Sequence, residues 1–262
     1  MNTSFNYYKQ WFESFVGFFG QEDPKGQEAV YLKRDHSLRV LREAQNLLLN
    51  LDPSKQDLYY LVSIAAIFHD IGRFPQYSQY KTFNDKISVN HGLLGYKVLK
   101  KEDVLNGLTQ KDRKDVLLSV LMHNRAKLPI GLPSRLHFIL QVIRDADKLD
   151  IIPVVLPHFQ QVSPDNGIVT LGLPHEPQKY TQAVIDQVLA RTMVDYRTMH
   201  WLNDFILLMC SWAYDLNFPY TCQEVLERGY MKDLLGCLPQ TEDVLSLGNQ
   251  IKTDLLNPDL EL

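Results

Sequence analysis

Apolar residues recur along this chain at intervals of three and four, the spacing that lines up one face of a helix. Leu41, Ala44, Leu48 and Leu51 make one such stripe, Leu58, Leu61, Val62, Ala65 and Phe68 a second, and Leu136, Ile139, Leu140 and Ile143 a third. Sustained alternation of apolar and polar positions, the mark of a half-buried strand, is hard to find. The pattern predicts an all-α protein with helices near 5–19, 36–51, 55–69, 90–101, 112–124 and 134–150, and more near 180–214 and 222–236. Ser54 with Asp57, and Thr221 with Glu224, resemble capping boxes at helix starts.

Five of the 13 prolines, Pro153, Pro157, Pro164, Pro174 and Pro177, fall in residues 151–180 and predict a loop-rich crossing. Beyond it, Trp201, Leu202, Phe205, Ile206, Met209 and Trp212 form a stripe too apolar to stand alone in water. We read it as core rather than as a partner-binding groove, because aromatic stripes at helical spacing usually supply core area. It is expected to pack on the first half. Residues 1–262 would then be one all-α domain, with a core at about 30–155 and a C-terminal helical extension at about 180–262.

Composition narrows the function classes. The 262 residues are 45% hydrophobic and 22% charged, which excludes a disordered chain and leaves enough length for a core without disulfides. Lys plus Arg is 27 and Asp plus Glu is 31, a net charge of −4. That balance argues against a surface built to hold a nucleic-acid polymer or an anionic membrane. It leaves room for a local basic pocket that holds one phosphate. Cys210, Cys222 and Cys237 form no CxxC pair, and their odd number fits reduced thiols in the cytoplasm. The N-terminus lacks a basic start and Glu13 interrupts its apolar residues, so no signal peptide is expected. No stretch of 18 apolar residues predicts a membrane span. Nothing in the pattern points to a particular oligomeric state.

The candidate chemistry lies in the histidines. His36 shares a helix face with Val40, Ala44 and Leu47; His69 follows Val62 by seven residues and precedes Asp70; His91 shares a face with Gly95 and Val98; His123 follows Val116 by seven. All four imidazoles should point inward. One inward histidine is an ordinary core residue, but four on successive helices beside an acid are costly to bury without partners. A shared divalent metal satisfies them, because neutral imidazole and carboxylate are its usual ligands. In the segment RDADKLD, Asp147 continues the buried stripe of Leu136 and Ile143 and is read as the further ligand. Asp145 falls off that face and is read as solvated; Asp150, one turn beyond Asp147, is read as support for the ligand set.

The ordered set reads H-x32-HD-x20-H-x31-H-x23-D and resembles the HD superfamily of metal-dependent phosphohydrolases. The strings KRDHSLRV, FHDIGRF, NHGLLGYKVL and RDADKLD resemble that family too, over roughly 30–155. The resemblance implies a five-helix core with the metal site between the helices. It implies two divalent ions (Mn, Fe, Mg or similar), one held by His36, His69, Asp70 and Asp147 and one by Asp70, His91 and His123. Asp70 would bridge them, and a hydroxide generated there would attack phosphorus in line. The implied activity is hydrolysis of a small phosphate ester, a nucleotide or related metabolite.

Arg73 follows Asp70 by three residues, where HDIGK-type members carry a Lys that faces the substrate phosphate, so it is a candidate catalytic and substrate-binding residue. A surface salt bridge is the competing reading. Single-metal nucleotidases and guanosine-tetraphosphate hydrolases of the family tend to have Glu at this place. HNRAKLPIGLP partly resembles the segment that names the cyclic-dinucleotide HD-GYP phosphodiesterases, but Leu132 stands where Tyr is expected and Asn124 replaces a second histidine. Arg125 and Lys127 are candidate phosphate contacts, with a solvated charge run as the plainer reading. Residues 74–90 are expected to be a long loop, either packed over the bundle or forming a substrate wall with Tyr80, Lys81, Thr82 and Phe83. Two other functions use the same residues. Di-iron HD oxygenases that cleave C–C or C–P bonds share the ligand set, and a nucleotide-sensing module could bind without turnover.

Overall fold

The computed structural model describes residues 4–22, 26–51, 53–160 and 172–257. Among them there are helices and no strands. The chain divides into two compact units, residues 1–150 and 151–262.

The first unit begins with α1 (Phe5–Glu22), α2 (Gln27–Asn50) and α3 (Tyr59–Phe68). It continues with α4 (Arg73–Tyr80), α5 (His91–Lys101), α6 (Gln110–Met122) and the first part of α7 (Ser134–Gln160). Helix α3 is apolar on every side, and Leu61 through Phe68 are all buried. A helix with no polar face can only be central, and α1, α2 and α6 pack around it. The aromatic residues of α1 fix the chain on both sides of the turn after α3. Trp11 meets Phe68 edge-on at 5.7 Å, and Phe12 and Phe19 contact Phe74 at 5.9 and 6.4 Å.

That turn is tight. Ile71 N–H donates to the Phe68 carbonyl at 3.0 Å and Arg73 N–H to the Asp70 carbonyl at 2.9 Å. Gly72 makes the close packing there possible. A Cβ on it would lie 2.1 Å from the His91 carbonyl oxygen and 2.5 Å from the Gly95 nitrogen, so only glycine lets α4 start against α5. Gly92 likewise faces the Val120 and Leu121 carbonyls of α6, where a Cβ would be 3.0 Å away from each. These two contacts draw the His-bearing ends of α3, α5 and α6 together.

Several expectations are corrected. Residues 74–80 of the expected loop belong to the helix α4. Pro75 stands in its first turn, where a missing N–H costs nothing, and buried Phe74 and Tyr77 hold the helix down. The non-helical stretch is therefore 81–90, begun by Lys81 in a left-handed conformation (φ 53°). Ser54 lies inside a short 3-10 turn (Pro53–Leu58), and Thr221 inside α10 (Pro219–Glu227) with Pro219 leading, so neither starts its helix. The side-chain caps are Asn90, Thr109 and Thr241. Helix α7 does not stop at 150 but runs to Gln160 through Pro153 and Pro157. Both prolines are on the exposed face, while Ile152, Val155, Leu156 and Phe159 continue the buried stripe. Pro164 lies outside the described residues.

The second unit contains α8 (Gln182–Leu189), α9 (Leu202–Ser211), α10, α11 (Tyr230–Gly236) and α12 (Glu242–Leu256). Leu202, Phe205, Ile206 and Met209 of α9 are buried, while Trp201 and Trp212 at the ends of the stripe are half-buried. Asp204, fully buried, accepts from the backbone N–H groups of Thr181, His200 and Trp201 at 2.7–3.0 Å. No helix among the described residues is long and apolar enough to cross a membrane.

Gly72→Ala is expected to destabilise the protein by at least about 1–3 kcal/mol, the usual cost of forcing extra atoms into a filled interior. Chemical denaturation of the variant checks this; unchanged stability would show that the α4–α5 approach is not closely packed.

Candidate metal centre

Five chain segments of the first unit bring six side chains together. His36 comes from α2, the pair His69–Asp70 from the turn after α3, His91 from the first residue of α5, His123 from the end of α6, and Asp147 from α7. The four imidazoles and Asp70 are buried. Their Nε2 atoms face one another, His36 to His69 at 3.3 Å and His91 to His123 at 3.1 Å. The carboxylates fill the gaps. Asp70 Oδ2 is 3.5 Å from His36 Nε2, and its Oδ1 is 3.3 and 3.5 Å from His91 and His123 Nε2. Asp147 Oδ1 is 3.1 Å from His36 Nε2 and 3.7 Å from His69 Nε2.

The other ring nitrogen of each histidine is already engaged. His69 Nδ1 is 2.7 Å from the Ala66 carbonyl, His123 Nδ1 2.8 Å from the Val120 carbonyl, His36 Nδ1 2.7 Å from Asp150 Oδ2, and His91 Nδ1 2.7 Å from Asp85 Oδ2. Carbonyl and carboxylate oxygens only accept, so each Nδ1 donates its proton, and a ring with no second proton turns a lone pair inward through Nε2. Two bare nitrogens 3.1–3.3 Å apart repel unless something positive lies between them. Buried Asp147 Oδ1 likewise has no hydrogen-bond partner. The groups His36–His69–Asp147 and His69–Asp70–His123 each present ligand atoms within 4.8 Å of one another. Imidazole and carboxylate donors of this kind suit a divalent cation, and the residues present fit one.

The charges agree with that fit. Burial pushes the Asp70 carboxyl up, but Lys33, Arg73 and His69 outweigh it and hold the carboxyl well below the usual range. Burial, with Arg73 alongside, pushes His91 down to about 3, so the ring is neutral at pH 7. For His69, burial is outweighed by the Asp70 and Asp147 charges, which raise it. Both carboxylates therefore call for positive charge at His69 Nε2, supplied by a proton or by a metal.

The structure brings Asp150 into the expected supporting place. It holds His36 and is itself held by Arg39 Nε at 2.6 Å. Asp145, expected to be solvated, is fully buried. The reason is that α7 is enclosed on most sides here, with Arg144, Ala146, Lys148 and Leu149 also buried. Arg73 sits at the cluster with Nε 3.4 Å from Asp70 Oδ1, while its Nη1 donates to the Gln76 side chain at 3.0 Å, to the Phe83 carbonyl and to Asp85 at 3.1 Å. Lys81 is exposed with Nζ 5.8 Å from the centre of the Tyr77 ring. Arg125 and Lys127 are exposed, and among the described residues their side chains make no hydrogen bond or ion pair.

Four participants were not read from the sequence, Arg39 beside Asp150 being one. Lys33 Nζ lies 2.9 Å from Asp70 Oδ2; it precedes His36 by three residues, so the helix-face rule reaches it. Asp85 and Gln76 join His91 and Arg73 from the segment expected to be a loop, where no periodic signal marks them.

The HD domain family model matches residues 34–152. The chain carries an HD domain. A curated relative from Bacillus subtilis (strain 168), named "Putative phosphohydrolase YueE", is 28% identical over 142 residues, 52% of this chain and 78% of its own length. No solved structure matches the chain. The matched segment contains all six converging side chains of the HD domain, from His36 to Asp147.

A divalent cation that binds the folded HD domain should stabilise it by about 2.7 kcal/mol at a hundredfold excess over Kd. Thermal unfolding of metal-stripped protein with and without Mn²⁺ checks this. An upward shift in Tm that Asp70→Ala abolishes is the expected result, and no shift in the parent protein would contradict it.

Proposed function

We propose that this protein is a metal-dependent phosphohydrolase acting on a small phosphate ester, a nucleotide or related metabolite. The observation that carries the reading is the convergence of four Nδ1-tethered histidines and two carboxylates on one buried point. The HD domain match and the phosphohydrolase name of the relative support it. His36, His69, Asp70 and Asp147 would hold one metal, and Asp70, His91 and His123 a second. Cations held there supply Lewis-acid charge to phosphoryl oxygens and make water acidic near neutral pH.

The chain's own groups then divide the remaining work. The cluster meets solvent where its side chains are least buried, at Asp147 (23% exposed), Lys33 (17%) and Arg73 (15%). A substrate approaching there passes two cations. Arg73 Nε lies 3.4 Å from Asp70 Oδ1 without a hydrogen bond, so the guanidinium adds positive charge for a phosphoryl group at the cluster. Lys33 Nζ, beside Asp70, adds a second positive charge for the same group. Both lie near Phe83, at 5.6 and 5.9 Å from its ring centre, and the half-buried ring offers a face for an organic part of the substrate. Asp150, Ala66 and Val120 hold three of the imidazoles in the tautomer that turns Nε2 inward.

Elemental analysis of protein purified without added metal, followed by a phosphate-release screen over nucleotides and sugar phosphates under anaerobic conditions, tests the proposal. Release that falls more than about 100-fold in Asp70→Ala, together with its metal, is expected, since losing a ligand should cost at least what losing a supporting partner does. Bound iron with oxygen consumption and no phosphate release would contradict it, as would tight nucleotide binding without turnover.

A further inference from the structure

Asp85 is the single carboxylate of the segment 81–90. Its Oδ2 accepts from His91 Nδ1 at 2.7 Å and from the His91 backbone N–H at 3.4 Å, and Asn124 Nδ2 is 3.3 Å away. Its Oδ1 is 3.0 Å from His91 Nδ1, 3.1 Å from Arg73 Nη1 and 2.8 Å from Gln76 Nε2. No single element supplies these donors: Arg73 and Gln76 belong to α4, His91 to α5, and Asn124 follows α6. His91 differs from His69 and His123 in this respect. Those two rings are held by carbonyls three residues earlier in their own chain segments, a local bond that needs no other part of the fold. His91 opens α5 and has no preceding turn to supply such a carbonyl. Its tether must come from elsewhere, and the segment 81–90 provides it.

We infer that Asp85 is the positioning residue of the second metal position: it fixes the tautomer and direction of His91 and joins that ring to Arg73. The inference rests on the two-position reading above. Its consequence is that the segment carrying Phe83, on the substrate side, and the ligand His91 are set by one carboxylate. Metal uptake at His91 and His123 then depends on a residue that touches no metal. The position built on His36, His69 and Asp147 has its own tether in Asp150 and Arg39 and does not depend on Asp85.

The variant Asp85→Asn keeps the shape of the side chain, removes its charge and puts an amide N–H₂ against donors that need an acceptor. Metal-stripped parent and variant are titrated with Co²⁺ alone, followed by visible absorption. The parent is expected to take up two equivalents. In Asp85→Asn the first uptake should be unchanged and the second weakened about 10- to 100-fold, the effect typical of losing a partner of a ligating histidine. Two equivalents bound with equal affinity in both proteins would overturn this inference alone. One equivalent in the parent would overturn the two-position reading and this inference with it. Nitrogen-15 NMR of metal-free parent protein gives a check that needs no variant to fold: His91 should carry its proton on Nδ1, and a proton on Nε2 overturns the assignment.

Discussion

Four imidazole lone pairs and two carboxylates point at one another inside a helical interior, and everything else in the first unit is arranged around that conflict. In a buried setting such groups cannot be left to water, and they cannot satisfy one another, because every Nδ1 proton is already given to an oxygen outside the cluster. Positive charge is the one thing that relieves the repulsion. Two cationic side chains, Lys33 and Arg73, already stand at the rim beside Asp70. The fold builds a site whose electrostatics call for positive charge among the six side chains, and a donor set of imidazole and carboxylate suits a divalent cation.

Holding such a site together takes rigid packing, and the chain supplies it in small residues and aromatic rings. Gly72 lets α4 meet α5 at a distance no Cβ would allow, and Gly92 lets α5 meet α6 at one that few Cβ atoms tolerate. The rings of α1 close over Phe68 and Phe74, the residues that bracket residues 69–73. The HD pair is thus held between two anchored aromatic residues. A cluster of mutually repelling groups needs that kind of constraint.

Much of this is legible in the sequence because helix periodicity and metal chemistry make the same demand. The inward spacing of His36, His69, His91 and His123, and the choice of Asp147 on the stripe of Ile143, follow from the 3.6-residue repeat, and the structure brings all five to one place with Asp70. What escaped reading has physical causes. Pro75 resembles a breaker but sits where a first turn tolerates it, so α4 was hidden. Pro153 and Pro157 lie on the exposed side of a helix held by its buried side. Helix α12 went unread, although Thr241 caps it and Val244, Leu247, Ile251 and Leu255 are spaced as a buried face. Asp145 was misplaced because a face argument assumes that the opposite face is wet, and α7 is enclosed. Asp85 lies in an aperiodic segment, where spacing says nothing about where a side chain goes.

The central claim is that one cation-filled cavity lies among these six side chains. The most direct test is an anomalous diffraction map from crystals grown with Mn²⁺. The account predicts two peaks, both in contact with Asp70, one bounded by His36, His69 and Asp147 and the other by His91 and His123. A cluster without a peak at full Mn²⁺ occupancy elsewhere, its six groups bonded only to one another, would contradict it.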